Sequence, residues 1–522
     1  MNSRGIQNIS NLDSLIYSEA YGKKSFNIDA PERQSVIESL FFGKEDFTVA
    51  DNAPQSVRTI LDRYRDIAES FPESLVGEDG EVLPYFVDWL IENVDLVEIT
   101  AYSDDDAYTI FETMNDRGLS LTATDMLKGY ILANIKDEQK RESANVLWKE
   151  QVLKLISIDK SEDEEFFKKW LRAKYANTVR ERKQWSVNQD YERIGTAFHK
   201  WVRENGSAEL WLVRSDDYSR LVQEEFKYFS GLYFQIQKAK LVLDPRYPSV
   251  FYNHYHTFPY QDVIMLSAVK YGDDEAIVES KLKLISEFLE MFIVLRLINY
   301  RSLGSSAISY TMFNLTKKVR DCSLVELAEI CRKHIAEMDE DFSRIIHYGL
   351  TAGQRNYNAM KFLLARVTQY IEEKSWIPST VEQYLSISIK KPYEIEHITA
   401  NKFERHAGEY SDEHSFQEWR NNIGDLLLLP RWYNQSFNDD PYQDKVRHYI
   451  SQNLLAWSLH PQCYEKHPAF LQFIKEEKLP FASVEVMKKE AIRMRAELIK
   501  SICERTPAFD DLGLAQGGQG LQ

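Results

Sequence analysis

Residues Tyr393 to Ile398 read YEIEHI, and Asn421 to Asn438 read NNIGDLLLLPRWYNQSFN. The first run puts a carboxylate, Glu396, beside an imidazole, His397, in a strand-like segment. Neighbouring side chains of an extended strand point to opposite faces, so both enter one pocket only where the strand ends or twists. The second run has a turn followed by a leucine-rich strand, with Gly424 at the turn, and reads as the hairpin partner of the first. Asn434 and Asn438 then stand near the start of a predicted helix that continues through Lys445.

These residue types can do chemistry together. An imidazole titrates near neutral pH and can take a proton from water. A carboxylate can hold a hard cation such as Mg2+, and so can an asparagine amide oxygen. On EIEHI alone, a hydrogen-bonded structural histidine beside a solvated glutamate is the simpler reading. The context shifts the balance: a histidine on the first of two strands and asparagines by a following helix give a ββα-metal layout, the parts a phosphodiester hydrolase needs.

Outward from this hairpin the chain is helical. SVRTILDRYRDIAESF places Val57, Ile60, Leu61, Tyr64 and Ile67 at three- and four-residue steps, predicting one buried face. VDLVEITAYS (94–103) is β-branched and reads as a buried strand. In the segment that follows, Tyr108, Phe111 and Met114 keep helical spacing until Asn115-Asp116-Arg117-Gly118 breaks it. Thr122 and Asp125 form a capping-box-like start, and Leu127, Tyr130, Ile131 and Ile135 supply the next buried face. Helical, aromatic-rich sequence fills the stretch from about 140 to 375, interrupted by the Pro-rich connector 243–262. Residues 372–392 read as the link into a last domain, and the Gly/Gln-rich tail beyond Arg505 as disordered.

Composition bounds the function. The 522 residues carry a formal net charge of -17, against the basic balance of a general nucleic-acid coat protein. A local basic face can still coexist with an acidic body. VRERKQW (179–185) and VMKKEAIRMRAELIK (486–500) are the densest basic stretches and the candidate DNA contacts. Four scattered cysteines, Cys322, Cys331, Cys463 and Cys503, form no CxxC pair, which argues against a zinc ribbon or disulfide framework and for a reducing, cytoplasmic location. No signal sequence opens the chain, and no apolar run reaches the ~20 residues of a membrane span.

Two motifs carry a family resemblance. The series EIEHI, Trp419, NNIGDLLLLP, Asn434, Asn438 and Lys445 resembles the HNH-type nuclease domain at the C-terminal end of GmrSD-type, modification-dependent (type IV) restriction endonucleases. FETMNDRGLSLTATDMLKGYIL resembles a signature of that family's N-terminal half, a ParB/sulfiredoxin-like domain that binds and hydrolyses nucleoside triphosphates. The similarity extends from about residue 10 to 505. It implies His397 as the general base, Glu396 and Asn434 as ligands of Mg2+ or Mn2+, and Asn438 and Lys445 in supporting or phosphate-contacting roles.

The sequence also departs from the family pattern. Asp425 stands where relatives carry the Asn of a Gly-Asn-Leu step; an ionised Asp only accepts hydrogen bonds, whereas Asn also donates. The run after His397 lacks the common proline. No Asp-Gly-Gln-Gln-Arg string is present, so the NTP pocket is expected to need a separate partner chain, or the copy is degenerate. Asn115, Arg117 and Asp125 are read first as structural, with Arg117 the leading candidate for a nucleotide contact.

The expected fold is mainly α (α+β), a large helical body with a small C-terminal ββα-metal domain. The expected divisions are 1–140 (remnant of the N-terminal family domain), 141–375 (helical middle), 376–505 (nuclease) and 506–522 (tail). The expected function is metal-dependent cleavage of foreign or base-modified DNA in phage defence. The competing reading is a non-catalytic interaction subunit of a split system, supported by Asp425 and the missing motif. A small-molecule enzyme built on the aromatic middle has no motif behind it.

Overall fold

The computed structural model describes residues 17–20, 23–26, 33–43, 55–76, 82–95, 122–181, 186–386, 392–433 and 439–506. The chain divides into two units, Met1–Tyr102 and Ser103–Gln522. Helix predominates in both, as the periodicity requires.

In the first unit, β1 (Tyr17–Ala20) and β2 (Lys23–Phe26) pair antiparallel, with Tyr17 opposite Phe26. Helices α1 (Gln34–Phe41) and α2 (Gln55–Glu69) share a small core of Val36, Val57 and Leu61. The face predicted for α2 is therefore only half right. Val36, Ile37 and Leu40 of α1 meet its first turns, while Tyr64 and Ile67 are 50% and 62% exposed. Helix α3 (Val82–Asn93) ends just before the expected strand, which from residue 96 onward lies outside the described residues. Asn115, Arg117 and the predicted helical spacing of Tyr108, Phe111 and Met114 lie outside them as well.

Among the described residues of the second unit, the predicted capping box comes first. Helix α4 (Ala123–Ala133) starts on a complete capping box: the Asp125 amide donates to Thr122 Oγ1 at 3.1 Å, and the Thr122 amide to Asp125 Oδ2 at 3.3 Å. Leu127, Ile131 and Ile135 are buried and Tyr130 is half-buried. Downstream, α5 (Glu138–Ile156), α6 (Glu162–Lys174) and α7 (Asp190–Glu209) surround an aromatic core in which Trp148, Phe167 and Phe226 stack on one another. The connector 243–262 is more ordered than its composition suggests, because Pro248, with φ near its ring-fixed value, starts a helix over Ser249–Tyr255.

A second core holds the C-terminal hairpin in place. Helices α8 (Glu275–Ile298) and α9 (Tyr357–Lys374) contribute Leu295, Leu363, Leu364 and Ile371 to it. Strands β3 (Tyr393–His397) and β4 (Leu426–Pro430) pair antiparallel, with Glu396 opposite Leu427 and His397 opposite Leu426. All four leucines of β4 are buried, so both faces of this strand are covered. The hairpin is thus seated in the helical body.

Candidate functional site

His397 is the last residue of β3 and is half-buried. Its Nε2 lies 3.0 Å from Asn421 Oδ1. Asn421 ends helix α10 (Glu413–Arg420) as its C-cap. Burial, with the Arg420 guanidinium adding to it, pushes the His397 imidazole down to about 3, so the ring is neutral at ordinary pH.

Glu396 faces the other way, as the strand's two-residue period demands. Its Oε1 accepts from Lys445 Nζ at 2.6 Å, and the same ammonium donates to the His397 carbonyl at 3.0 Å. Lys445 sits on α11 (Tyr442–His448), which starts after Pro441. It is 1% exposed rather than solvated on an outer helix face, because only an inward position reaches the buried carboxylate. Burial raises the Glu396 carboxyl, opposed by the Lys445 charge.

Asp425, at the foot of β4, is fully buried. It accepts from Thr399 Oγ1 at 2.7 Å and from the Thr399 amide at 3.2 Å, tying the exit of β3 to the entrance of β4. Burial pushes its carboxyl up to about 7. Gly424 is not there for a positive φ. A Cβ on it would collide with the Ile492 carbonyl of helix α12 (Lys489–Cys503), so glycine lets that helix press against the turn. Arg495 of α12 then donates to the Gly424 carbonyl at 2.7 Å.

The structure therefore brings Glu396 and Lys445 together, and His397 together with Asn421, on different sides of one strand. Asn434 and Asn438 lie outside the described residues. The fit of a divalent cation can be tested on Glu396: its carboxylate is already neutralised by a buried ammonium and turned from the imidazole. Among the described residues no three His, Cys, Asp or Glu side chains converge as a metal site requires. Glu396 is thus engaged by Lys445, and Asn434, the other expected ligand, lies outside the described residues.

Sequence reasoning missed Asn421, Thr399 and Lys445 as partners. Asn421 lies in the run that drew notice, but its pairing with His397 needs the β3–β4 register, which spacing alone does not supply. The basic stretch 486–500 is also recast. Arg495 is buried, Lys489 is held by Glu409, and Arg493 and Lys500 pair with Glu490 and Glu504. Of the other basic stretch, residues 182–185 lie outside the described residues. Two clefts flank these elements. One of about 400 Å3 includes Thr399, Arg405 and Lys488; another of about 650 Å3 includes Tyr300, Trp419, Asn421 and Arg493.

Comparison with known proteins places this geometry in a family. The chain matches the N-terminal domain of the GmrSD restriction endonuclease over residues 6–132 and the C-terminal domain of GmrSD restriction endonucleases over residues 339–468. The two domains of a DNA-restricting endonuclease thus follow one another in this chain. It belongs to the GmrSD-type restriction endonuclease family. No curated protein matches the chain significantly. Among the described residues no helix is long and apolar enough to cross a membrane.

Proposed function

We propose that the chain is an HNH-type DNA endonuclease of restriction defence in which His397 activates the attacking water. The observation that carries this reading is the place of His397 at the end of β3, paired antiparallel with β4 and followed by the Lys445 helix, inside the stretch that matches the C-terminal domain of GmrSD restriction endonucleases. Neutral imidazole takes a proton as the water oxygen bonds to phosphorus. The phosphorus–oxygen bond to the leaving nucleotide breaks, and solvent protonates the departing oxygen. Glu396 and Lys445 brace the strand from within, and Asp425 with Thr399 closes the hairpin, so these groups hold His397 rather than touch the phosphate.

Mg2+ or Mn2+ belongs to this reading as an expected requirement, with Asn434 as its remaining candidate ligand. Base-modified phage DNA is the expected substrate, and a separate chain the expected source of any NTP binding. The second reading, an interaction subunit without cleavage, is favoured by one observation: Lys445 occupies the carboxylate that a metal would need.

Plain and modified phage DNA, incubated with the purified chain and Mn2+ or Mg2+ beside His397→Ala, tests the reading. Cleavage that disappears in the variant is expected. A variant that cuts as fast as the parent overturns the base assignment, and no cutting by either protein favours the interaction subunit.

A further inference from the structure

We infer that Asn421 is a positioning residue for the base, holding His397 in the tautomer that carries its proton on Nε2 and leaves Nδ1 free to receive one. The inference rests on the proposed role of His397. Its ground is the 3.0 Å contact between Nε2 and Asn421 Oδ1. An amide oxygen only accepts, so the ring nitrogen facing it must donate. In a neutral imidazole the other nitrogen is then the acceptor.

The amide is useful as a clamp only if it is itself held, and the chain around it is fixed from several directions. Within its own helix end, the Asn421 amide donates to the Gln417 carbonyl at 2.9 Å. From the segment between α8 and α9, the Leu350 amide donates to the Asn421 carbonyl at 2.9 Å, and the Ile423 amide reaches the Tyr348 carbonyl at 2.8 Å. Asn422 Nδ2 donates to the Ile346 carbonyl at 2.8 Å. Gly349 is pressed so closely that a Cβ on it would lie 2.8 Å from the Asn421 carbonyl oxygen. Gly349 in turn is fastened by the Tyr300 hydroxyl, which accepts from its amide at 3.1 Å, and by Asn356 Nδ2 on its carbonyl at 2.9 Å. The helical body, through residues 346–350, thus sets where the Asn421 side chain stands, and Asn421 sets which nitrogen of His397 is free.

The test uses the full-length chain with Asn421→Ala, Asn421→Asp and His397→Ala. Outer partners of this kind are worth about 10- to 100-fold in rate. Asn421→Ala is expected to lose that much single-turnover cleavage while binding DNA and melting like the parent. Asn421→Asp keeps an accepting oxygen and is expected to restore the rate. Adding Asn421→Ala to His397→Ala should cost nothing further, because both act through one ring. Independently of cleavage, nitrogen NMR of histidine-labelled parent protein, with His397→Ala for assignment, should show the His397 proton on Nε2. A proton on Nδ1, or an Asn421→Ala enzyme at full rate beside an inert His397→Ala, overturns the inference and leaves the base assignment standing. Full activity in His397→Ala removes both.

Discussion

Lys445 Nζ lies 2.6 Å from Glu396 Oε1, with the two side chains 1% and 5% exposed. A buried pair of this kind is weak evidence for stability as a pair, yet removing one partner strands the other's charge. Lys445→Met alone is expected to destabilise the second unit by about 3–5 kcal/mol. The double variant Lys445→Met with Glu396→Leu should recover most of that, because no charge is left buried. Urea midpoints of the three proteins decide it, and a double variant as unstable as the single would contradict the account.

Asp425 makes stability depend on pH in a defined direction. Its folded carboxyl stands near 7 against an ordinary value of 3.8, so the folded chain binds the proton more tightly than the unfolded one. This contribution is fully present below pH 4 and is lost as pH rises towards 7. Asp425→Asn keeps an accepting oxygen for Thr399 and removes the charge, so its advantage over the parent should be smallest near pH 4, appreciable by pH 5 and largest at pH 8. A shift of about three units corresponds to about 4 kcal/mol at most. Melting temperatures of both proteins across that range test the sign.

At Gly424 the opposing atom is the backbone carbonyl of Ile492, which cannot swing aside as a side chain can. Gly424→Ala is expected to push α12 off the turn, weaken the Arg495 hydrogen bond to the Gly424 carbonyl and cost about 1–3 kcal/mol or more. Hydrogen exchange should report it as faster opening confined first to α12 and β4.

Thr122 offers a milder check far from the hairpin. Its hydroxyl and the Asp125 carboxylate complete the start of α4. Thr122→Ala should cost about 1 kcal/mol, and Thr122→Ser should cost little. DNA cleavage should be unaffected by either.

Much of this was legible in the residues themselves. Helical spacing found α4 and its capping box because both are local, set within a turn of chain. The leucines after Gly424 announced β4, and the alternation of a strand already foretold that Glu396 and His397 would part company. What spacing could not supply was the destination of each side chain. Lys445 has its supporting or phosphate-contacting role from resemblance alone until Glu396, forty-nine residues earlier, is known to be its buried partner. Asn421 reads as a turn residue until strand register delivers His397 to it. Tyr64 and Ile67 fit a buried stripe in α2, but α1 covers only the start of that helix.

The burial of β4 on both faces bears on where the chain can be cut. A fragment begun at residue 376 would leave α9 behind and bare Leu426 to Leu429, inviting aggregation. The C-terminal family match instead begins at residue 339, upstream of the 346–350 clamp and α9. That start would still leave α8 and Tyr300 behind, so an excised or transplanted module should begin before residue 275 and run past residue 468 to keep α12, carrying its own cover of helices with it.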